Sequence, residues 1–450
     1  MEGTTTYSAA RQSRATRIAE DVINARSGAY AAKRMRHDRF PQRHSKPSAT
    51  ETVGRSRHTG PTKQKGHTVK VEIEHARFHE LINRAAKALA ARPASPILAG
   101  LLLRAEQDVL RASAFDFELA VRASAPASVG EPGSVLVSGR LLAEIARALP
   151  KLPVTLATDG ARVQLVCGAY RYTLACMPLD EYPALPATPP TVGWVESRAL
   201  ASAAGQTALA ADRDETLPFL TGVHLEFGPE TLRLVCTDRY RLALRDLPWH
   251  RAEEKAGASP DATADASALV PARMLLEASR LFEPEDRIGI CLDDGLLGLV
   301  TSGLEVTLRQ LDGSFIRYAQ LFPDRPSGHA VVEVALLLEA IKAIALVAER
   351  NSPVRLEFAP GQVTVIAGSG DQALASATIE AVYEHEEPVT IAVHPTYLLD
   401  GLSCIATPYA RLTYPEKVRP VVLTGLTGPR DEADEQFRYL FIPVRSTVVA

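Results

Sequence analysis

The stretch Glu215-Thr-Leu-Pro-Phe-Leu-Thr-Gly-Val-His-Leu-Glu-Phe227 lies mid-chain, and two other segments repeat its pattern. A short polar turn leads through Pro218 into an alternating strand, with Val223, Leu225 and Phe227 on one face and His224 and Glu226 on the other. Arg92-Pro-Ala-Ser-Pro-Ile-Leu-Ala-Gly-Leu-Leu-Leu103 has the same order of Pro, apolar pair, Gly and strand. Asn351-Ser-Pro-Val-Arg-Leu-Glu-Phe358 is a shortened version. The three prolines, 96, 218 and 353, recur 122 and 135 residues apart, the size of a domain and too long for a solenoid unit. A second marker has nearly the same period. Strand-rich runs around Val137, Val270 and Val393, spaced 133 and 123 residues apart, each open into an amphipathic helix. Three copies of one domain are therefore expected.

The chain has 450 residues, room for about three domains of ordinary size. A hydrophobic share of 46% against 23% charged residues is that of a globular protein with substantial cores. The most apolar run, Val334 to Val347, is broken by Glu339 and Lys342 and is too short to span a membrane. Five scattered cysteines (167, 176, 236, 291 and 404) read as buried thiols of a reduced cytoplasmic protein. The net charge of −3 hides an asymmetry, because residues 1–66 carry 14 Lys/Arg against 5 Asp/Glu. The body is acidic by the difference, so nucleic acid would have to meet a local basic patch.

Residues 1–68 lack a periodic apolar pattern and are expected to be a disordered basic tail, with one short helix over 16–25. The alternative is that they lie upstream of a true start at Val69, since an internal GTG start codon reads as Val. The expected domains are 69–190, 191–323 and 324–450. Helices are expected over 78–92 and 141–149, then 198–211 and 274–281, then 334–348 and 397–405. Phe78, Leu81, Ile82, Ala85 and Leu89 give the first of these its apolar stripe. A surface loop is expected over 253–267, and a closing strand over 438–445.

No catalytic constellation emerges. His75 and His79 lack the second histidine of an HExxH zinc motif, Cys236 has no CxxC mate, and Gly368-Ser-Gly370 sits between strands where it cannot cradle a phosphate. No metal or cofactor is expected. What recurs is positive charge on or beside the helices: Arg84, Lys87, Arg92, Arg147 and Lys151, then Arg198, Arg213, Arg273 and Arg280, then Lys342 and Arg350. Singly, each is an ordinary solvated helix residue. Repeated on equivalent helices, they could line one wall that holds duplex DNA through its phosphates, blind to sequence.

Arg92-Pro-Ala-Ser-Pro-Ile-Leu98, Asp180-Glu-Tyr-Pro183, Thr237-Asp-Arg-Tyr-Arg-Leu242 and Tyr439-Leu-Phe-Ile-Pro-Val-Arg445, in that order and at domain spacing, resemble the bacterial DNA polymerase III beta subunit, the sliding clamp. The resemblance covers about Val69 to Arg445. It implies an α+β fold of three tandem clamp domains, each with two helices packed on antiparallel sheets. It further implies a homodimer closed head to tail into a ring around double-stranded DNA. DNA polymerase and a clamp loader would dock through short peptides, and no reaction would be catalysed. The resemblance places a peptide pocket between the second and third domains. Its walls would be Leu220, Thr237, Arg239, Tyr240, Arg241 and Leu242, with Ile316, Gln320 and Leu321, and with His394, Tyr397, Leu440, Ile442, Pro443, Val444 and Arg445. It places Tyr172 against Leu346 and Val347 at the dimer contact.

The family usually has Gly-His where this chain has Arg239-Tyr240, Pro-Asp-Tyr in place of Ile316-Arg-Tyr318, and an Arg in place of Gln320. These departures leave room for a specialised second clamp, serving a repair polymerase or escaping an inhibitor. Two readings from other classes compete: an enzyme with its site in the inter-domain groove, and a basic-tailed DNA-binding regulator. The first lacks a convergent acid-base or nucleophile set, and the second lacks a recognition helix.

Overall fold

The structure, a computed structural model, describes residues 69–444 apart from 215, 253–265, 294, 323–327, 348–351, 370–372, 386 and 416–419. The first copy runs β1 (Lys70–Ile73), α1 (His75–Ala85), β2 (Gly100–Glu106), β3 (Val109–Phe115), β4 (Leu119–Pro126) and β5 (Ser128–Glu131). It continues through β6 (Gly133–Ser138), α2 (Gly139–Ala148), β7 (Val154–Asp159), β8 (Arg162–Cys167) and β9 (Tyr170–Met177). The second repeats that order: β10 (Thr191–Glu196), α3 (Ser197–Ala208), β11 (Gly222–Phe227), β12 (Thr231–Thr237), β13 (Arg241–Pro248) and β14 (His250–Arg251). Then come β15 (Ser267–Pro271), α4 (Ala272–Ser279), β16 (Arg287–Asp293), β17 (Leu296–Val300) and β18 (Leu304–Arg309). The third has β19 (Gly328–Glu333), α5 (Val334–Ile344), β20 (Val354–Ala359), β21 (Gln362–Ser369) and β22 (Ala373–Val382). It ends with β23 (Val389–Val393), α6 (Pro395–Ser403), β24 (Tyr409–Tyr414), β25 (Val421–Leu426) and β26 (Asp434–Phe441). The sequence repeat is thus a repeat of strand and helix order, as expected.

Each helix follows a strand almost without interruption, and no side chain caps any of the six N-termini by a hydrogen bond. Five of the observed helices therefore begin one to three residues before the expected positions, and α5 begins at Val334 as expected. The first is shorter than 78–92, because it tightens into a 3₁₀ turn at Ala86–Ala88 ahead of Pro93. Phe78, Leu81, Ile82 and Ala85 are buried, while Leu89 packs half-buried on the same core. Within each copy the two helices pack together, and the first of them packs on the fourth strand: α1 on β4, α3 on β13, α5 on β22. Gly401 of α6 faces the Tyr439 ring so closely that a Cβ there would lie 2.5 Å from it.

All pairings are antiparallel, and two of them join copies. β18 pairs with β4, from Leu304 opposite Ala123 to Leu308 opposite Leu119. β26 pairs with β13, from Arg241 opposite Phe441 to Arg245 opposite Phe437. The rule is the same at both junctions: the last strand of one copy pairs with the fourth strand of the copy before it. Of the edges that this rule pairs, two are left over among the described residues. Tyr170–Ala175 of β9, the last strand of the first copy, pairs only with β8. Ala373–Glu380 of β22, the fourth strand of the third copy, pairs only with β21.

The expected closing strand 438–445 begins earlier and ends at Phe441. Beyond it, Ile442 N donates to Tyr240 O at 2.8 Å and Val444 N to Ala392 O at 2.8 Å. Pro443, between them, has no N–H to give. The expected helix at 16–25 and most of the 253–267 loop lie outside the described residues. The cysteines form no disulfide, and Cys167, Cys236 and Cys291 are buried. Among the described residues no helix is long and apolar enough to cross a membrane.

The Gly401 contact yields a direct test. Gly401→Ala should destabilise the chain by about 1–3 kcal/mol, the usual penalty for overpacking a closed contact. The check is the urea midpoint at unchanged m-value; an unchanged midpoint would mean that α6 can lift off β26 freely.

Candidate partner-binding groove at the second junction

The turn between β12 and β13 is built by one carboxylate. Asp238 Oδ1 accepts from Tyr240 N at 3.0 Å and Arg241 N at 2.9 Å, and Thr237 Oγ1 accepts from Arg239 N at 3.1 Å. This Asx geometry puts Arg239 at φ 80°, the left-handed region. The first copy has the same turn. Asp116 Oδ1 accepts from Glu118 N and Leu119 N, and Phe117 stands at φ 75°. A non-glycine residue in this conformation is thus a feature of the repeat. The Arg239 side chain is 57% exposed, and its Nη2 lies 3.8 Å from Asp212 Oδ2. It reaches sideways to Asp212 of its own copy, largely in solvent.

Arg241 carries the turn across the junction. Its Nε bonds Asp238 Oδ2 at 2.9 Å and its Nη1 bonds Asp400 Oδ2 of α6 at 2.5 Å. The guanidinium also sits 4.8 Å from the centre of the Tyr397 ring, a cation–π contact. The Tyr240 ring is stacked 6.4 Å from Tyr397, and His394 is tilted against Tyr397 at 5.1 Å. Tyr439 OH donates to Tyr397 O at 2.9 Å, and burial pushes the Tyr439 phenol well above its ordinary pKa. On the other face of the paired strands, Leu242 lies opposite Leu440. With Val235, Leu244, Tyr318 and Val422 they form a small dry cluster, covered by Phe315, Leu321 and Phe322.

The structure therefore places Arg239, Tyr240, Arg241, His394 and Tyr397 on one face of the junction and Leu242, Leu321 and Leu440 on the other, with Thr237 in the turn and Ile442 and Pro443 following β26. Leu220 is buried nearby, its carbonyl accepting from Asp212 N. Ile316 and Gln320 are exposed on the linker that supplies Phe315 and Tyr318. Tyr240, Ile316, Ile442 and Val444 leave large apolar surface open to water. Arg445 lies outside the described residues. Sequence reading missed Asp238, Asp212, Asp400 and Tyr318. Tyr318 OH donates to Glu226 Oε2 at 2.7 Å; with His224 first and Tyr318 after it as partners, the Glu226 carboxyl is held below its usual range. Only Asp238 had a local signal, an aspartate opening a turn.

The basic residues are placed less uniformly than the sequence implied. Arg84 is tied to Glu80 at 2.7 Å and to Glu283 of the second copy at 2.6 Å. Arg198 pairs with Glu285 and Arg273 with Glu277. Lys87, Arg92, Arg147, Lys151, Arg213, Arg280 and Lys342 are exposed, and Arg350 lies outside the described residues. At the expected dimer contact, Tyr172 is half-buried against its own core, whereas Leu346 is 85% exposed and Val347 is half-buried beside it. No cluster of His, Cys, Asp and Glu fit to hold a metal occurs among the described residues.

Comparison with known proteins gives the family. Residues 69–186 match the DNA polymerase III beta subunit N-terminal domain, 194–316 its central domain and 319–445 its C-terminal domain. The beta sliding clamp of Streptomyces coelicolor is 44% identical over 382 residues, covering 84% of this chain and 99% of that protein. The beta sliding clamp homolog GriR of Streptomyces muensis is 38% identical over 380 residues, with the same two coverages. Among solved structures, the C. crescentus beta sliding clamp is 26% identical with a TM-score of 0.74, covering 85% of this chain and all of that one. Three copies of one α+β module joined strand to strand define the clamp class of fold. The chain belongs to the DNA polymerase III beta subunit family, the beta sliding clamps.

The strained turn can be relieved. A non-glycine residue held at positive φ costs about 1 kcal/mol or more. Arg239→Gly should therefore stabilise the chain by an amount on the order of 1 kcal/mol, read as a raised urea midpoint, whereas Arg239→Ala, with the same backbone penalty, should not. Equal midpoints for the two variants would show that the turn stores no strain.

Proposed function

We propose that this chain is a processivity clamp: two copies close into a ring around duplex DNA, and polymerase and loader dock by short peptides. The proposed domains are 69–190, 191–323 and 324–450, and the proposed compartment is the cytoplasm. The observation that carries the reading is the pairing rule of the junctions. Last strand to fourth strand is satisfied twice inside the chain, and the two edges left over, β9 and β22, are one last strand and one fourth strand. A second copy turned head to tail satisfies both at once, leaving no free edge of this kind. Leu346, nearly bare, would be covered there by the partner's Tyr172.

The apolar surface of Tyr240, Ile316, Ile442 and Val444 beside the Arg241 network is the proposed seat of partner peptides. The remaining members of that groove would be Leu220, Thr237, Arg239, Leu242, Gln320, Leu321, His394, Tyr397, Leu440, Pro443 and Arg445. Lys87, Arg92, Arg147, Lys151, Arg213, Arg280 and Lys342, with Arg84, Arg198, Arg273 and Arg350, are the proposed phosphate contacts. The alternative of a specialised second clamp rests on Arg239-Tyr240, Ile316-Arg-Tyr318 and Gln320. Phe117 stands at positive φ in the first copy's turn as Arg239 does in the second, so the backbone of that turn gives the alternative no support.

The mass in solution is the first measurement. Wild type should sediment at twice 48.5 kDa. Leu346→Asp and Tyr172→Ala should run as monomers at micromolar concentration, since truncating a buried aromatic costs about 3–5 kcal/mol. The dimer loaded on circular DNA should be retained until the circle is cut, with salt-sensitive contacts blind to sequence. Variants that stay dimeric, or equal retention on cut and closed DNA, would overturn the ring.

A further inference from the structure

The first junction is built like the second, but its lining is inverted in polarity. β2, β3, β4 and the start of β18 line an open groove of about 620 Å³, bounded on one side by the linker at Leu179 and 182–185. That volume falls within the range of ligand-binding pockets. Sheet register makes the two junctions comparable position by position. In the second copy, Arg233 lies opposite Glu226 on one neighbouring strand and Asp246 on the other. Asp246 holds it through two hydrogen bonds of 2.6 and 2.9 Å. In the first copy, Arg111 takes the place of Arg233 and lies opposite Arg104 and Ser124. Both carboxylates have been exchanged, one for an arginine and one for a hydroxyl.

The consequence is a positive site, three guanidiniums against the two carboxylates of Glu106 and Glu305. Like charges directly opposite on paired strands are destabilising. Arg104 and Arg111 share the single carboxylate of Glu106, at 2.6 and 3.7 Å. Arg122, in the place of Leu244 of the dry cluster, contacts Pro186 O, Thr188 Oγ1 and Glu305 Oε2. The guanidinium heads of Arg104 and Arg111 are about half exposed, beside apolar lining from Leu102, Leu179 and Leu185.

We propose that this groove is a second docking site, which takes a short acidic peptide segment of a partner protein. Its carboxylates would supply what Glu226 and Asp246 supply in the second copy, and its flanking apolar side chain would cover the leucines. A nucleic-acid backbone fits less well, because the apolar lining of Leu102, Leu179 and Leu185 gives phosphates nothing. The site lies within one chain and does not depend on ring closure.

The probe is a labelled, end-blocked peptide Gly-Asp-Asp-Leu-Gly, with an Asn-for-Asp control, titrated against the full chain. Ser124→Asp restores the carboxylate of the second copy and should weaken peptide binding about tenfold while raising the melting temperature. Arg104→Ala/Arg111→Ala should weaken it at least as much, since a charge-assisted hydrogen bond is worth about that factor. Tyr240→Ala/Ile442→Ala, in the other groove, should leave it unchanged. The proposal is overturned if wild type binds neither peptide, binds both equally, or loses binding only with the Tyr240/Ile442 variant. It is also overturned if the arginine variant loses affinity for a short DNA duplex and keeps it for the peptide.

Discussion

Everything in this chain depends on how the edges of its sheets are satisfied. A strand edge presents a row of N–H and C=O groups, and an antiparallel partner of matching length is the means of pairing them. In each copy the fourth and the last strand offer the edges that join copies, and the chain joins them in sequence. The first helix of every copy packs beneath the fourth strand, so the edge that receives the next copy is stiffened from behind. The copies are coupled through backbone hydrogen bonds, and side chains are left free to differ between junctions.

They do differ. At the second junction, Leu242, Leu244 and Leu440 close under a linker rich in aromatics, and Arg241 bridges to Asp238 and Asp400 on the opposite face. Arg241 and Asp238 are largely buried, whereas Asp400, which carries the contact across the junction, is 37% exposed. At the first junction, Arg122, Ser113 and Ser124 face an open groove, and water-exposed ion pairs replace dry contacts. Exposed pairs of that kind contribute about 0–1 kcal/mol each. The same backbone joint thus carries one apolar lining and one ionic lining.

How much of this the sequence disclosed follows from the range of each interaction. The apolar stripe of α1 and the alternation of β11 are short-range patterns, and Phe78, Leu81, Ile82, Val223 and Leu225 are all buried as expected. The prolines at 96, 218 and 353 marked the repeat because each stands at or just before the start of a strand or short turn. Helix starts were misplaced because the usual capping side chains are absent and strands run directly into helices. The carboxylates that organise the groove were hidden for a different reason. Asp400 meets Arg241 across 159 residues, and nothing near either residue announces the other. The inverted charges of the two junctions were equally hidden, because opposition across strands is a matter of register.

The pairing rule also sets the order of events during synthesis. Leu119 of β4 waits for Leu308, and Arg241 of β13 for Phe441, each nearly two hundred residues later. At ordinary translation speeds of about 5–20 residues per second, an edge stands open for roughly 10–40 s before its mate emerges. Through that interval the nascent chain exposes a strand that any other strand could seize, including one on a neighbouring ribosome. The short side chains at Ala120 and Ala123, and the charge at Arg122, make the first such edge a poor template for a stranger. The fold thus holds its own assembly open for tens of seconds, and its most exposed moment comes before the chain is complete.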